Sequence, residues 1–83
     1  KMKSKTEIPK TRIAVVELSD KEDLVFSLAE PENGLFIDVR KYVYMEEAKK
    51  KLPTKQGFFI PAEKATEVRE AVTALEEAAA RVS

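Results

Sequence analysis

In the run from Leu35 to Tyr44 the side chains sort by alternation. Phe36, Asp38, Arg40, Tyr42 and Tyr44 fall on one side of an extended strand, and Leu35, Ile37, Val39 and Val43 on the other. The second set is suited to a core. The first mixes rings with charge and leads into a segment carrying Lys49, Lys50, Lys51 and Lys55. Cations can follow phosphates, flat apolar groups can accept unstacked bases, and an arginine guanidinium does both. Each base stacked in this way is worth about 1–3 kcal/mol, so the pattern suits a single-stranded nucleic acid. The same residues have a plainer use. Rings on a half-exposed strand also serve cores and interfaces, and lysine runs also solvate loops. Asp38, an acid on the ring-bearing side, is expected to pair with Arg40 or with a neighbouring strand.

Other chemistries find little support. The 83 residues contain no His and no Cys, which excludes Ser–His–Asp and Cys–His arrangements, zinc fingers and disulfides. The sequence holds no calcium loop of the EF-hand pattern. Gly34 and Gly57 are the only glycines, too few for a phosphate-cradling loop. Glu46-Glu47 and Glu76-Glu77 are adjacent pairs, and sequence neighbours do not converge on one substrate. We therefore expect no enzyme, no catalytic residues, no metal and no cofactor. No apolar run has membrane-spanning length, so no membrane partner is expected, and the chain reads as soluble and intracellular.

Fifteen basic and fifteen acidic residues cancel to zero net charge. The charges are segregated: residues 1–12 carry a net +4, 13–39 a net −6, 40–55 a net +4 and 61–83 a net −2. Residues 1–9 read as a flexible basic tail and 10–83 as one small domain. Lys10 and Arg12 extend the basic stretch into that domain. Four runs read as strands: Ile13 to Leu18, Leu24 to Ala29, Leu35 to Tyr44 and Gly57 to Ile60. Pro31-Glu32-Asn33-Gly34 is a turn. Met45 to Gln56 reads as a long basic loop, because Pro53 limits any helix there. A helix follows from about Ala62 to Arg81, with Pro61 suited to its first turn. Its apolar positions Ala65, Val68, Val72, Leu75, Ala79 and Val82 recur at 3 and 4 residues, a narrow seam about 30 Å long. The order gives an α+β fold: a four-stranded antiparallel sheet followed by one C-terminal helix (β-β-β-β-α), with the helix covering one face. One helix covers little of such a sheet, and a domain this small without staples often relies on a partner subunit.

Gly34 to Tyr42 resembles the central strand of the transcriptional positive cofactor four family. Pro53 to Ile60 is similar to the loop and strand that follow it there, and Pro61-Ala62-Glu63-Lys64 to the start of its closing helix. The register runs without a gap from about Asp23 to Leu75, more than half of the chain. The resemblance implies the ssDNA-binding transcriptional-regulator-like fold, assembled as a homodimer. Its channels bind single-stranded DNA or the separated strands of melted duplex with little sequence preference. It further implies roles in transcription regulation or in replication, recombination and repair, with transcription or replication proteins as possible partners. The setting would be a bacterial or phage-infected cytoplasm and nucleoid, or a nucleus in a eukaryote. Lacking the serine-rich regulatory region of the eukaryotic members, the chain resembles the minimal bacterial or phage form.

By the same resemblance Arg40 matches a DNA-contacting arginine, Lys55 a basic loop residue and Gly57 the glycine after it. Asp38 and Tyr42 match strand positions that look structural. Val43 stands where the family usually has a stacking Trp, Gln56 where it has a lysine, and Ala29 where it has a basic residue. The turn at Pro31–Gly34 lacks the usual aromatic and lysines. The expected DNA-binding set is Arg40, Lys41, Tyr44, Lys49, Lys50, Lys51, Lys55, Gln56, Phe36, Tyr42, Lys10 and Arg12. Tyr44 is the foremost ring, because it lies nearest the basic segment. The alternative is a protein-interaction or dimerisation module of the same fold with weak or lost DNA binding.

Overall fold

A computed structural model describes residues 10–32 and 34–82. The expected tail over residues 1–9, and Asn33 of the turn, lie outside the described residues. The elements are β1 (Lys10–Ser19), β2 (Glu22–Ala29), β3 (Phe36–Met45), β4 (Lys50–Pro61), a 3-10 turn (Ala62–Lys64) and α1 (Ala65–Val82). The strands form one four-stranded antiparallel sheet in the order β1-β2-β3-β4, as the short connections require. The hairpin between β3 and β4 closes through Lys49, at φ 58°, whose amide donates to the Met45 carbonyl at 2.8 Å.

The long basic loop expected between Met45 and Gln56 is mostly strand. Lys50, Lys51 and Leu52 pair with Met45, Tyr44 and Val43, so Leu52 adds to the apolar side of the sheet. Irregularity is confined to a bulge. Arg40 pairs with Gly57 and Tyr42 with Pro53, which sets Thr54, Lys55 and Gln56 against Lys41 alone. The Thr54 hydroxyl pins it, donating to the Lys41 carbonyl at 2.8 Å and accepting from the Gln56 amide at 3.1 Å. Pro53 sits at this interruption, where a missing N–H is tolerated.

Pairing defines two faces. One carries Ile13, Ala14 and Val16 of β1, Leu24, Phe26 and Leu28 of β2, Ile37, Val39 and Val43 of β3, and Leu52, Phe58 and Ile60 of β4. It is apolar over its middle, with charged residues such as Glu22 and Lys41 toward the hairpin end, and it is open: Ile13 is 66% exposed and Phe58 59%. The other carries the alternating charged and aromatic residues. A register shift at Ile13, between Arg12 and Ala14, lets Lys10 and Arg12 join that second face while Ala14 and Val16 join the apolar one.

The core differs from expectation. Of Leu35, Ile37, Val39 and Val43, only Val39 is buried; Leu35 precedes β3 and is half exposed. The remaining buried residues, Val25, Ser27, Ala29 and Asp38, lie on the mixed face. Small residues at the middle of β2 leave room there for the long stems of Lys10, Arg12 and Arg40 to fold over them.

The helix also departs from expectation. It does not cover the sheet: no residue of α1 is buried and no strand packs along it. The radius of gyration is 15.4 Å, against about 12 Å for a compact chain of this length. The 3-10 turn occupies the first positions expected to be helical. Pro61 precedes it without a side-chain cap, in line with the absence of Ser, Thr, Asn or Asp there. The Ala62 amide donates to the Leu35 carbonyl at 3.0 Å, tying the start of the helical segment to the edge of β3.

Candidate nucleic-acid interface

Cross-strand rows build the mixed face. Lys10, Ala29, Phe36 and Pro61 form one row, and Arg12, Ser27, Asp38 and Phe59 the next. Then come Val15, Val25, Arg40 and Gly57, followed by Glu17, Asp23, Tyr42 and Pro53. Tyr44 and Lys51 pair beyond them toward the hairpin. Rings and cations therefore alternate along the face, because antiparallel neighbours on one side repeat every second residue.

Asp38 is the hub. Its side chain is 3% exposed and accepts from Lys10 Nζ at 2.8 Å and Arg40 Nη2 at 3.0 Å. The pairing with Arg40 is as expected; the second partner, Lys10, reaches across from β1, two strands away rather than on a neighbouring strand. Burial raises the Asp38 pKa, but the hydrogen bonds and charges of Lys10 and Arg40 outweigh that and hold it below the ordinary carboxylate value. A carboxylate with a lowered folded pKa stabilises the fold above its unfolded pKa of about 4, and this stabilisation is lost as pH falls through the folded value. We expect the melting temperature to drop on acidification below about pH 4. In Asp38→Asn that acid-side drop should be shallower, measured by thermal unfolding from pH 7 to 2.

Arg40 is fixed on three sides. Besides Asp38, its Nη1 donates to the Thr54 carbonyl at 3.0 Å, so the arginine also braces the bulge. A Cβ placed on Gly57 would lie 2.6 Å from the Val39 carbonyl oxygen and 2.9 Å from both Cζ and Nη1 of Arg40. Glycine at 57 therefore provides the seat for this guanidinium.

Three of the four rings on this face are met by a cation. Arg12 lies over Tyr42 at 5.4 Å, Lys21 over Tyr44 at 5.4 Å and Lys10 over Phe59 at 5.7 Å. Phe59 also leans on Phe36, with centroids 6.2 Å apart. Lys51 bonds Asp23 at 2.8 Å. Among the described residues, Arg12, Lys49, Lys50 and Lys55 form no ion pair.

Of the expected site residues, Phe36, Arg40, Tyr42, Tyr44, Lys51, Lys10 and Arg12 come together on this face. Lys49 and Lys50 lie exposed at the hairpin end, Lys50 on the apolar side with its partner Met45, and Lys55 and Gln56 lie exposed in the bulge. Lys41 does not join them. It faces the apolar side, where alternation puts it opposite Leu24, and bonds Glu22 at 3.2 Å. Phe59, Lys21 and Asp23 belong to the face and were not singled out from sequence. Phe59 was legible, since it stands two residues beyond Gly57 in a strand of period two. The roles of Lys21 and Asp23 depend on pairing between distant strands.

Among the described residues no group of three or more acidic side chains could hold a metal ion, and no helix is long and apolar enough to cross a membrane. No family model, curated protein or solved structure matches the chain.

Proposed function

We propose that this protein binds single-stranded DNA, or the separated strands of melted duplex, as a homodimer and without sequence preference. Such binding would serve transcription regulation or replication, recombination and repair. The observation that carries the proposal is the assembly of Arg12, Arg40, Tyr42, Tyr44 and Phe59 on one sheet face beside the exposed Lys49, Lys50 and Lys55. Unpaired cations would follow phosphates while flat groups accept bases. The resemblance to the positive cofactor four family points the same way.

The dimer rests on a separate observation. The apolar sheet face and the helix seam are both open in one chain, with Phe58 59% and Leu75 67% exposed. Surfaces of this kind mark association sites. The occupant proposed is a second copy, because the chain itself presents two open apolar surfaces, sheet face and helix seam, that do not pack on each other.

Titration of oligo-dT by fluorescence anisotropy tests the DNA reading. Four cations outside ion pairs predict a slope of log K against log salt of about −3, a loss of about 50-fold between 50 and 200 mM salt. Absence of binding at low salt would refute it. One feature favours the alternative, a protein-interaction module of the same fold: Lys10, Arg40, Lys51 and Lys41 are already ion-paired, to Asp38, Asp23 and Glu22. That alternative predicts a dimer by sedimentation with no oligonucleotide binding.

A further inference from the structure

We infer that Arg40 acts on a single-stranded nucleic acid through the flat face of its guanidinium, as a stacking platform for one base, and not as a phosphate clamp. This rests on the DNA-binding reading above and assigns the role of one residue within it.

The geometry begins with Gly57. The point where its Cβ would stand is 2.9 Å from Cζ and 2.9 Å from Nη1 of Arg40, with Nε and Nη2 no nearer. A point in the plane of the group cannot meet that condition. Any in-plane position equidistant from Cζ and Nη1 at that range comes closer to one of the other two nitrogens. The point therefore lies beneath the plane, and the guanidinium rests face-down on the Gly57 backbone.

Three of the five N–H donors are taken, among them both members of the Nε–Nη2 fork. Nε and Nη2 point to the two Asp38 oxygens, at 3.5 and 3.0 Å, and Nη1 to the Thr54 carbonyl at 3.0 Å. A phosphate clamp uses those N–H edges. Here they are engaged by a buried carboxylate and by the backbone of the bulge, and Asp38 offsets the charge. The side chain nevertheless keeps 18% of its surface exposed. The bidentate fork is closed to a phosphate, and besides one hydrogen each on Nη1 and Nη2 a ligand meets the planar face turned away from Gly57.

The surrounding rings strengthen the assignment. Tyr42, Tyr44 and Phe59 each have a cation already against the ring. No ring contact to Arg40 is found among the described residues. A guanidinium held rigid at its edges loses little freedom when a base settles on it, and stacking of this kind tolerates any base.

Two variants separate plane from charge. Arg40→Lys keeps the charge and removes the plane; Arg40→Gln keeps a planar amide and removes the charge. Each is titrated with oligo-dT and with an abasic oligomer of equal length, and melting curves confirm the fold. For the wild-type protein we expect oligo-dT to bind at least about tenfold tighter than the abasic strand. Arg40→Lys should reduce that ratio by about tenfold with the salt slope unchanged, and Arg40→Gln should reduce it less. The inference is overturned if Arg40→Lys keeps the ratio while Arg40→Gln flattens the salt slope by about 0.7, the signature of a phosphate contact. It is equally overturned, with no variant needed, if the wild type binds both strands alike. If the wild type binds neither strand at low salt, the DNA-binding reading itself fails; in the other outcomes that reading stands.

Discussion

Leu75→Glu is expected to convert the protein from a two-chain to a one-chain species at micromolar concentration, with partial or complete loss of the folded sheet. Leu75 sits in the middle of the seam and is 67% exposed in the single chain. In a dimer it would be covered, so the substitution removes roughly 2–3 kcal/mol of apolar burial and places a carboxylate where it would lose its water. Together these amount to at least about a 100-fold weaker dimer. Sedimentation equilibrium reads the mass, and far-UV circular dichroism reads the sheet. Glu70 lies on the side of α1 away from the seam, so Glu70→Gln should leave both unchanged. A wild-type mass of one chain at the same concentration would remove the dimer from consideration.

The second large effect is expected at Asp38. Asp38→Ala leaves Lys10 and Arg40 without their shared acid, on a face where the carboxylate was 3% exposed. Breaking a buried pair on one side commonly costs about 3–5 kcal/mol. Lys10 keeps 38% of its side chain in solvent, which screens part of the loss, so about 2–3 kcal/mol is the expected destabilisation in urea unfolding. The salt dependence of oligo-dT binding should steepen by about 0.7 for each cation that then meets a phosphate, up to about 1.4 because both Lys10 and Arg40 lose their acid. A variant as stable as the wild type would show that the Lys10–Asp38–Arg40 cluster contributes nothing net to the fold.

These expectations rest on features of different legibility. The faces of β3 were readable residue by residue, since alternation alone puts Phe36, Asp38, Arg40, Tyr42 and Tyr44 together. The strand over Lys50–Leu52 was not, because a run of three lysines has no strand preference of its own; pairing with Tyr44 and Met45 makes it extended. Lys41 was grouped with the basic residues by proximity in sequence, although the same alternation that placed Arg40 sends Lys41 to the other side.

Spacing within the sequence determined the order of four strands and a helix, the two-sided character of β3, and the apolar seam of α1. Each is set by residues near one another in the chain, whose side-chain directions follow from the local backbone period. The tertiary structure decided the rest. The bulge at Ile13 assigns Lys10 and Arg12 to the ring-bearing face, and the bulge at Thr54–Gln56 braces Arg40 over Gly57. Pairing across β1, β2 and β3 determines which cations meet an acid and which stay available. Those outcomes join residues up to 28 positions apart. Cross-strand register controls them, and no local periodicity encodes a register that a single inserted residue can shift.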